Sequence, residues 1–319
     1  MIRCLDSIQQ QTYKDFEVIL INDGSNDRSA EICERYCESD KRFHLINQEN
    51  SGPSKARNRG LDEANSKYLA FVDADDYVEA TMLEEFVTAA ESSDADLTVC
   101  GYYLEENSTQ SINRLKYPSG VYRGDQIRPI ILDAIDIGIG TNNIRPFSWI
   151  RFVKRECLEN PRLRFNTSIH RSEDYLIWNT LFARINSLCL IGDKTLYHYV
   201  MNSSSITHKY VKDYWTMANI IYNELKDIYK DDKEAMLHLN IMLLRRATLS
   251  LTVATRSDDK EIFKSDVKKI LSDKDLHDAI SAIPLKTGIK KEKIRYMLFK
   301  FRLYFAVKLL YYFRYSRTH

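Results

Sequence analysis

Along the first hundred residues the apolar positions switch between a strand-like and a helix-like period. FEVILIND (16–23) is a continuous apolar run ending in turn residues, the pattern of a strand buried on both faces. Residues 28–40 carry helical spacing, and FHLINQ (43–48) reads as a shorter strand. A helix over 54–64 follows, then a second buried strand at KYLAFVD (67–73), a helix over 79–92 and a strand at DLTVCGYYL (96–104). Repeated β-α-β predicts an α/β fold with a mostly parallel central sheet and right-handed crossovers. Ile2, Leu5 and Ile8 sit at helical spacing, so the chain opens inside a helix that neither an N-cap residue nor a strand precedes.

Residues 105–145 are more polar and irregular, and 146–200 mix strand and helix signals. From Lys212 onward the period is helical, over 212–229, 233–255, 259–272 and 289–314. Soft boundaries near 105 and 210 divide the chain into regions 1–104, 105–210 and 211–319.

Composition adds room for a core. The chain has 319 residues, 44% of them hydrophobic and 29% charged, which excludes a wholly disordered protein. Its net charge of +1 hides an asymmetry. Residues 286–319 hold ten Lys and Arg against the single acid Glu292, a local +9, which leaves −8 on the rest of the chain. An acidic body with a basic tail implies two jobs. None of the six cysteines forms a C-x-x-C pair, so they read as buried thiols in a reducing compartment. MIRCLDSIQQQ lacks the apolar centre of a signal peptide, and no run approaches the roughly 18–20 apolar residues of a membrane span. A cytoplasmic protein is expected.

Candidate chemistry collects at strand ends, where open α/β sheets bind ligands. Asp73-Ala74-Asp75-Asp76 follows KYLAFV directly. Three carboxylates so close repel unless a cation intervenes, and hard oxygen ligands select Mg²⁺ or Mn²⁺, which can in turn hold a diphosphate. The same acids also suit a plain helix N-terminus. Asn22-Asp23-Gly24-Ser25-Asn26-Asp27 ends the first strand. There Asp23 can accept from a base N–H or a sugar hydroxyl, or the stretch is a turn with a helix cap at Asp27. Asn50-Ser51-Gly52-Pro53-Ser54-Lys55-Ala56-Arg57-Asn58-Arg59-Gly60 carries three cations into a helix, where Lys55 and Arg57 either face a nucleotide or line a solvated face.

Taken in order and spacing, CLDSIQQQTYKDFEVILINDGSNDRS, NSGPSKARNRG and YLAFVDADDY resemble glycosyltransferase family 2. The resemblance is strong over 1–104 and looser to about residue 208. It implies the A-type nucleotide-sugar-binding fold and roles by position. Asp23 would recognise the uracil with Arg57 nearby, and Asp73 would contact the ribose. Asp75 would ligate the metal on the UDP diphosphate, Mn²⁺ or Mg²⁺, with Asp76 in support. The family's later Glu-Asp pair matches Glu173-Asp174, with Asp174 as general base; acids in a helix's first turn are the bland alternative. His198, in Leu196-Tyr197-His198-Tyr199, lies where related enzymes often carry an aromatic-His-aromatic strand, and it either completes the metal site or is a satisfied core histidine. Ser203-Ser204-Ser205-Ile206-Thr207 resembles a segment that closes near the diphosphate, and Trp149 and Trp178 would shape the acceptor pocket or simply fill core. The family normally opens with an apolar strand upstream of the helix seen here. The resemblance therefore implies that this strand belongs before Met1, and without it two neighbouring strands lose their partner.

The implied function is an inverting, metal-dependent transfer of a sugar from a UDP-sugar to a glycan acceptor, lipid-linked, in bacterial cell-surface polysaccharide synthesis. The alternative is a non-catalytic nucleotide-sugar-binding subunit acting with a transferase partner. A glycoside hydrolase also uses two carboxylates but has no need of the motifs at 22–27 and 50–60.

Residues 296–315 hold nine aromatics with Lys and Arg interspersed. On a helical wheel Lys293, Lys300 and Lys308 fall on one side, and Lys291, Arg295 and Arg302 on the other. Such a helix can lie in the headgroup region with its long side chains snorkelling, which predicts a peripheral protein at the inner face of the membrane. Packing on the acidic body or a homodimer contact is the alternative. No nucleic-acid module accompanies the patch.

Overall fold

The structure, a computed structural model, describes residues 1–318 except 108, 137–143, 202–209, 285–296, 298, 300 and 302–303. It divides into two compact units, Met1–Ser203 and Ser204–His319.

The first unit is α/β. It opens with helix α1 (Ile2–Gln9), whose Cys4, Leu5 and Ile8 face inward as their spacing predicts. Strand β1 (Val18–Asp23), helix α2 (Ser29–Ser39), strand β2 (Phe43–Gln48) and helix α3 (Pro53–Glu63) follow at the expected places. Strands β1 and β2 pair in parallel, Val18 with Phe43 through Asp23 with Gln48. They form a two-stranded sheet of their own, so all six residues of β1 are only partly buried rather than enclosed on both faces.

The larger sheet is mixed, where repeated β-α-β suggests a mostly parallel one. It runs in the order β3 (Tyr68–Ala70), β8 (Arg151–Lys154), β5 (Leu97–Glu106), β9 (Ser187–Met201), β4 (Tyr77–Val78). Only β5 and β9 pair in parallel; β8 runs against both β3 and β5, and β4 against β9. Strands β6 (Thr109–Asn113) and β7 (Gly120–Arg123) add antiparallel edges to β5 and β9. One hydrophobic core extends from Cys4 to Tyr197. The break expected near 105 falls inside β5, because that strand continues past 104 to pair with β6.

Helix α4 (Met82–Ser93) starts three residues later than its period suggests, since Tyr77 and Val78 are taken into the sheet opposite His198 and Tyr197. Helix α5 (Arg128–Ile135) and the short helix α6 (Glu156–Glu159) lead to helix α7 (Glu173–Phe182), every residue of which from Tyr175 to Phe182 is buried. That burial fixes the position of its first turn.

The second unit is helical: α8 (Tyr214–Tyr229), α9 (Lys233–Ala254), α10 (Lys260–Leu271), α11 (Lys274–Ala282) and a last helix, Tyr304–Thr318. Asp232, Asp259 and Asp273 cap three of these by accepting backbone N–H bonds from the first turn. The cap at Asp273 separates α11 from the helix expected over 259–272. Val307, Tyr311 and Tyr315 of the last helix are buried, with Tyr315 stacked on Phe263 at 4.4 Å and the Tyr311 hydroxyl donating to the Thr248 carbonyl at 3.2 Å.

Candidate active site

The acidic stretch after β3 is a β-turn, closed by the Asp76 N–H donating to the Asp73 carbonyl at 3.1 Å, and not a helix N-terminus. The turn sends its three carboxylates different ways. Asp76 points inward, 1% exposed, accepting from the Tyr197 hydroxyl at 2.7 Å and from the Val200 N–H at 2.8 Å. Burial pushes its carboxyl up to about 7, against those two hydrogen bonds. It braces the turn against β9. Asp75 projects into solvent. Asp73 reaches Arg57.

Arg57 is the hub. Proline at the first position of α3 presets the helix, and Arg57, four residues on, has a largely buried side chain. Its Nη2 lies 3.3 Å from Asp73 Oδ1, and its Nη1 lies 2.9 Å from Glu173 Oε1 and 3.2 Å from Asp174 Oδ1. The resemblance sets Arg57 beside Asp23; the structure engages it with the acids of the turn and of α7 instead. Burial works against its charge, but Asp174, Asp73 and Glu173 outweigh that and hold it above the usual arginine range. So the repulsion among these acids is met by a protein cation.

Asp174 stands in the first turn of α7. Its Oδ1 accepts from the Ser148 hydroxyl at 2.9 Å and its Oδ2 from the Ser148 N–H at 3.1 Å. The Trp178 indole, one helical turn further on, donates to the same Ser148 oxygen at 2.9 Å. Burial raises the Asp174 carboxyl above its ordinary value, with Arg57 and Ser148 pulling the other way. Arg151, 1% exposed, lies with its guanidinium 4.9 Å from the Trp178 ring. Its Nε and Nη2 have no hydrogen-bond partner among the described residues. Ser148 and Arg151 carry no motif, and nothing in the sequence singles them out.

Asp23 ends β1 and is held by three donors: Gln48 Nε2 at 2.7 Å, Ser51 N–H at 2.9 Å and Gly52 N–H at 2.8 Å. These bonds overcome its partial burial and pull the carboxyl below its usual range. Gly24, at φ +69°, lets this loop pass close: a Cβ there would meet the Asn50 nitrogen at 2.7 Å. Asp27 accepts from the Ser29 N–H at 2.9 Å and so starts α2. Lys55 is exposed on α3.

His198 does not join Asp75. Its Nε2 lies 2.8 Å from Glu79 Oε1 and its Nδ1 3.0 Å from Glu105 Oε1, and its ring is stacked between Tyr77 at 4.0 Å and Tyr103 at 4.5 Å. A metal ligand needs a bare ring nitrogen. Here both face carboxylates, the arrangement of a satisfied core histidine, and neither is turned to Asp75 among the described contacts. Trp149 is core as well, stacked on Phe147 at 4.6 Å and Tyr197 at 4.3 Å. The segment 203–207 lies outside the described residues.

Among the described residues no three His, Cys, Asp or Glu side chains are grouped to hold a metal ion. Asp75 fits a divalent cation of another kind: a solvent-facing oxygen ligand suits Mg²⁺ or Mn²⁺, which take one or two carboxylates and fill the rest of the shell with substrate phosphates and water. The six cysteines are all free thiols.

Residues 1–153 match the family model described as glycosyl transferase family 2. Among similar proteins is the uncharacterized glycosyltransferase EpsJ of Bacillus subtilis, 30% identical over 97% of this chain and 90% of that one. The putative glycosyltransferase EpsH of the same organism is 32% identical over 76% of this chain and 72% of its own length. The crystal structure of S. aureus TarS 1-349 in complex with UDP-GlcNAc superposes with a TM-score of 0.67 over 94% of this chain and 83% of that one. At 18% identity that likeness speaks for the fold, an A-type glycosyltransferase fold.

Proposed function

We propose a specific reaction for this chain, which belongs to glycosyltransferase family 2 and is a glycosyltransferase: transfer of a hexose from a UDP-sugar to a glycan acceptor carried on a lipid, with inversion at the anomeric carbon. The observation that carries it is Arg57, which joins Asp73 on the donor side to Asp174 on the acceptor side in one cluster.

In this reading Asp23, with Lys55 near the loop it anchors, receives the uracil, and Asp73 the ribose. Asp174 removes the proton of the acceptor hydroxyl as that oxygen attacks the anomeric carbon from the face opposite the diphosphate. The bond from the anomeric carbon to the phosphate oxygen breaks, UDP departs, and the configuration inverts. Oδ2 of Asp174 is the oxygen suited to the task, because Oδ1 is already shared by Ser148 and Arg57. Asp75 would hold a Mg²⁺ or Mn²⁺ ion together with the diphosphate, and such an ion neutralises charge on the leaving group. Glu173 and Asp76 keep Arg57 and the acidic turn in place. The UDP donor draws on the likeness to TarS, whose complex holds UDP-GlcNAc. A lipid-borne acceptor would place the reaction at the inner face of the membrane, and no helix among the described residues is long and apolar enough to cross one.

Release of UDP from UDP-sugars in the presence of Mn²⁺, with and without acceptor lipids, tests the reading in the native protein and in Asp174→Asn. Acceptor-dependent UDP release that drops at least about a thousandfold in the variant supports it. Full activity in Asp174→Asn overturns the base assignment.

A further inference from the structure

The last helix sorts its apolar residues onto two faces. Val307, Tyr311 and Tyr315 are buried within the helical unit. Phe305 is 81% exposed, Leu309 61%, Phe313 58% and Leu310 45%. At about 100° per residue these four cover roughly 140° of the helix surface, with Ala306, Ser316 and, at the end of the helix, Arg317 also falling inside the arc. Two exposed cations border it, Arg314 beyond Leu310 and Lys308 on the far side of Phe305. Phe301, just before the helix, is 56% exposed. From residue 293 to the end the sequence has seven Lys and Arg and no acid.

A single exposed phenylalanine needs no explanation, but a contiguous apolar arc does. Among the described residues the second unit packs the opposite face, through Phe263 and the Thr248 carbonyl, and the four side chains of the arc keep 45% or more of their surface exposed. Charge decides between occupants. A second copy of the chain would bring an equally basic helix against this one, and like charges would meet at its borders. An anionic lipid surface supplies what both features need: hydrocarbon for the arc, and phosphates for cations long enough to snorkel beside it.

We propose that the face formed by Phe305, Leu309, Leu310 and Phe313, bordered by Lys308 and Arg314, docks the protein in-plane on an anionic bilayer surface. This deepens the reading of a membrane-borne acceptor, and its test reads lipid binding apart from turnover. The wheel of the whole tail smears cations around the helix, whereas the folded unit hides one side and leaves a defined face. Lys291, Lys293, Arg295, Tyr296, Lys300 and Arg302, expected to contribute, lie outside the described residues.

Co-sedimentation of the full chain with phosphatidylcholine vesicles, with and without about a quarter phosphatidylglycerol, is the experiment. Binding to the anionic vesicles should be at least about tenfold tighter and weaken as salt rises. Phe305→Ser with Leu309→Ser and Phe313→Ser should reduce it about tenfold or more at an unchanged unfolding midpoint, with transfer to a soluble acceptor retained. Lys308→Glu should narrow the preference for anionic vesicles. No binding at low salt, or binding that survives the triple substitution, overturns the proposal. So does a concentration-dependent dimer lost in that variant without lipid binding, which assigns the face to a second copy. An active Asp174→Asn enzyme would sink the base assignment and leave the vesicle result standing.

Discussion

Ser148 grips Asp174 with two hydrogen bonds, one from its backbone N–H to Oδ2 and one from its hydroxyl to Oδ1. A carboxylate so held cannot rotate, and in the proposed reaction the choice of reacting oxygen would be made before any acceptor arrives. Ser148→Ala removes the hydroxyl bond and orphans the Trp178 indole. A hydrogen bond to a charged group contributes about 1.5 kcal/mol, so kcat should fall about tenfold with donor affinity unchanged. Losing a donor to the charged form also raises the Asp174 carboxyl further, and the rising limb of kcat against pH should move to higher pH. Ser148→Thr, which keeps the hydroxyl, should restore both. An unmoved pH profile in Ser148→Ala counts against the positioning role.

Arg57→Met leaves Asp73, Glu173 and Asp174 without their common cation. Breaking a buried charge pair by deleting one partner costs about 3 kcal/mol. The pH dependence follows in sign. Without Arg57 the folded Asp174 carboxyl rises further above its unfolded value, so the variant is relatively stable below about pH 4 and loses stability as pH climbs through the folded value. Thermal unfolding from pH 4 to 8 should show the deficit widening upward. A deficit constant with pH would mean that Arg57 acts by packing alone.

Asp75→Asn should leave folding untouched, because the side chain stands in solvent. Calorimetric UDP binding in Mn²⁺ should fall to the level that the native protein shows in EDTA. If the variant still gains affinity from Mn²⁺, the metal is held elsewhere.

His198→Ala tests the opposite assignment. The ring bridges two carboxylates and lies between two tyrosines, so its loss should destabilise the first unit by about 2 kcal/mol. The dependence of UDP binding on Mn²⁺ should stay as in the native protein. A selective loss of that dependence, with an unchanged unfolding midpoint, would return His198 to the metal site.

What the sequence discloses follows the range of the forces involved. Strands β1, β2 and β5 and helices α2 and α3 are legible because their apolar period is local. Strand direction is not a local property, and nothing in RFVK announces that β8 runs against both neighbours. The acids at 73–76 and 173–174 stand out through their motifs, so their convergence is expected. Ser148 and Glu105 do not, because each meets its partner across a long stretch of chain, Ser148 to Asp174 and Glu105 to His198, where only packing sets the distance. Arg57 shows both limits: the motif marks the residue, and the fold decides which acids it serves.

The two-stranded sheet of β1 and β2 gives the molecule a graded resistance to opening. Among the described residues β1 and β2 pair only with each other, and such a two-stranded pair has a shallower free-energy well than β5 and β9, which sit inside the large sheet. Amide hydrogens of Val18–Asp23 should accordingly exchange with solvent sooner than those of Leu97–Cys100. Asp23 knots that soft pair to the loop at 51–52, so a nucleotide that adds contacts there would slow the exchange of a whole segment, and the uptake of deuterium becomes a readout of donor occupancy.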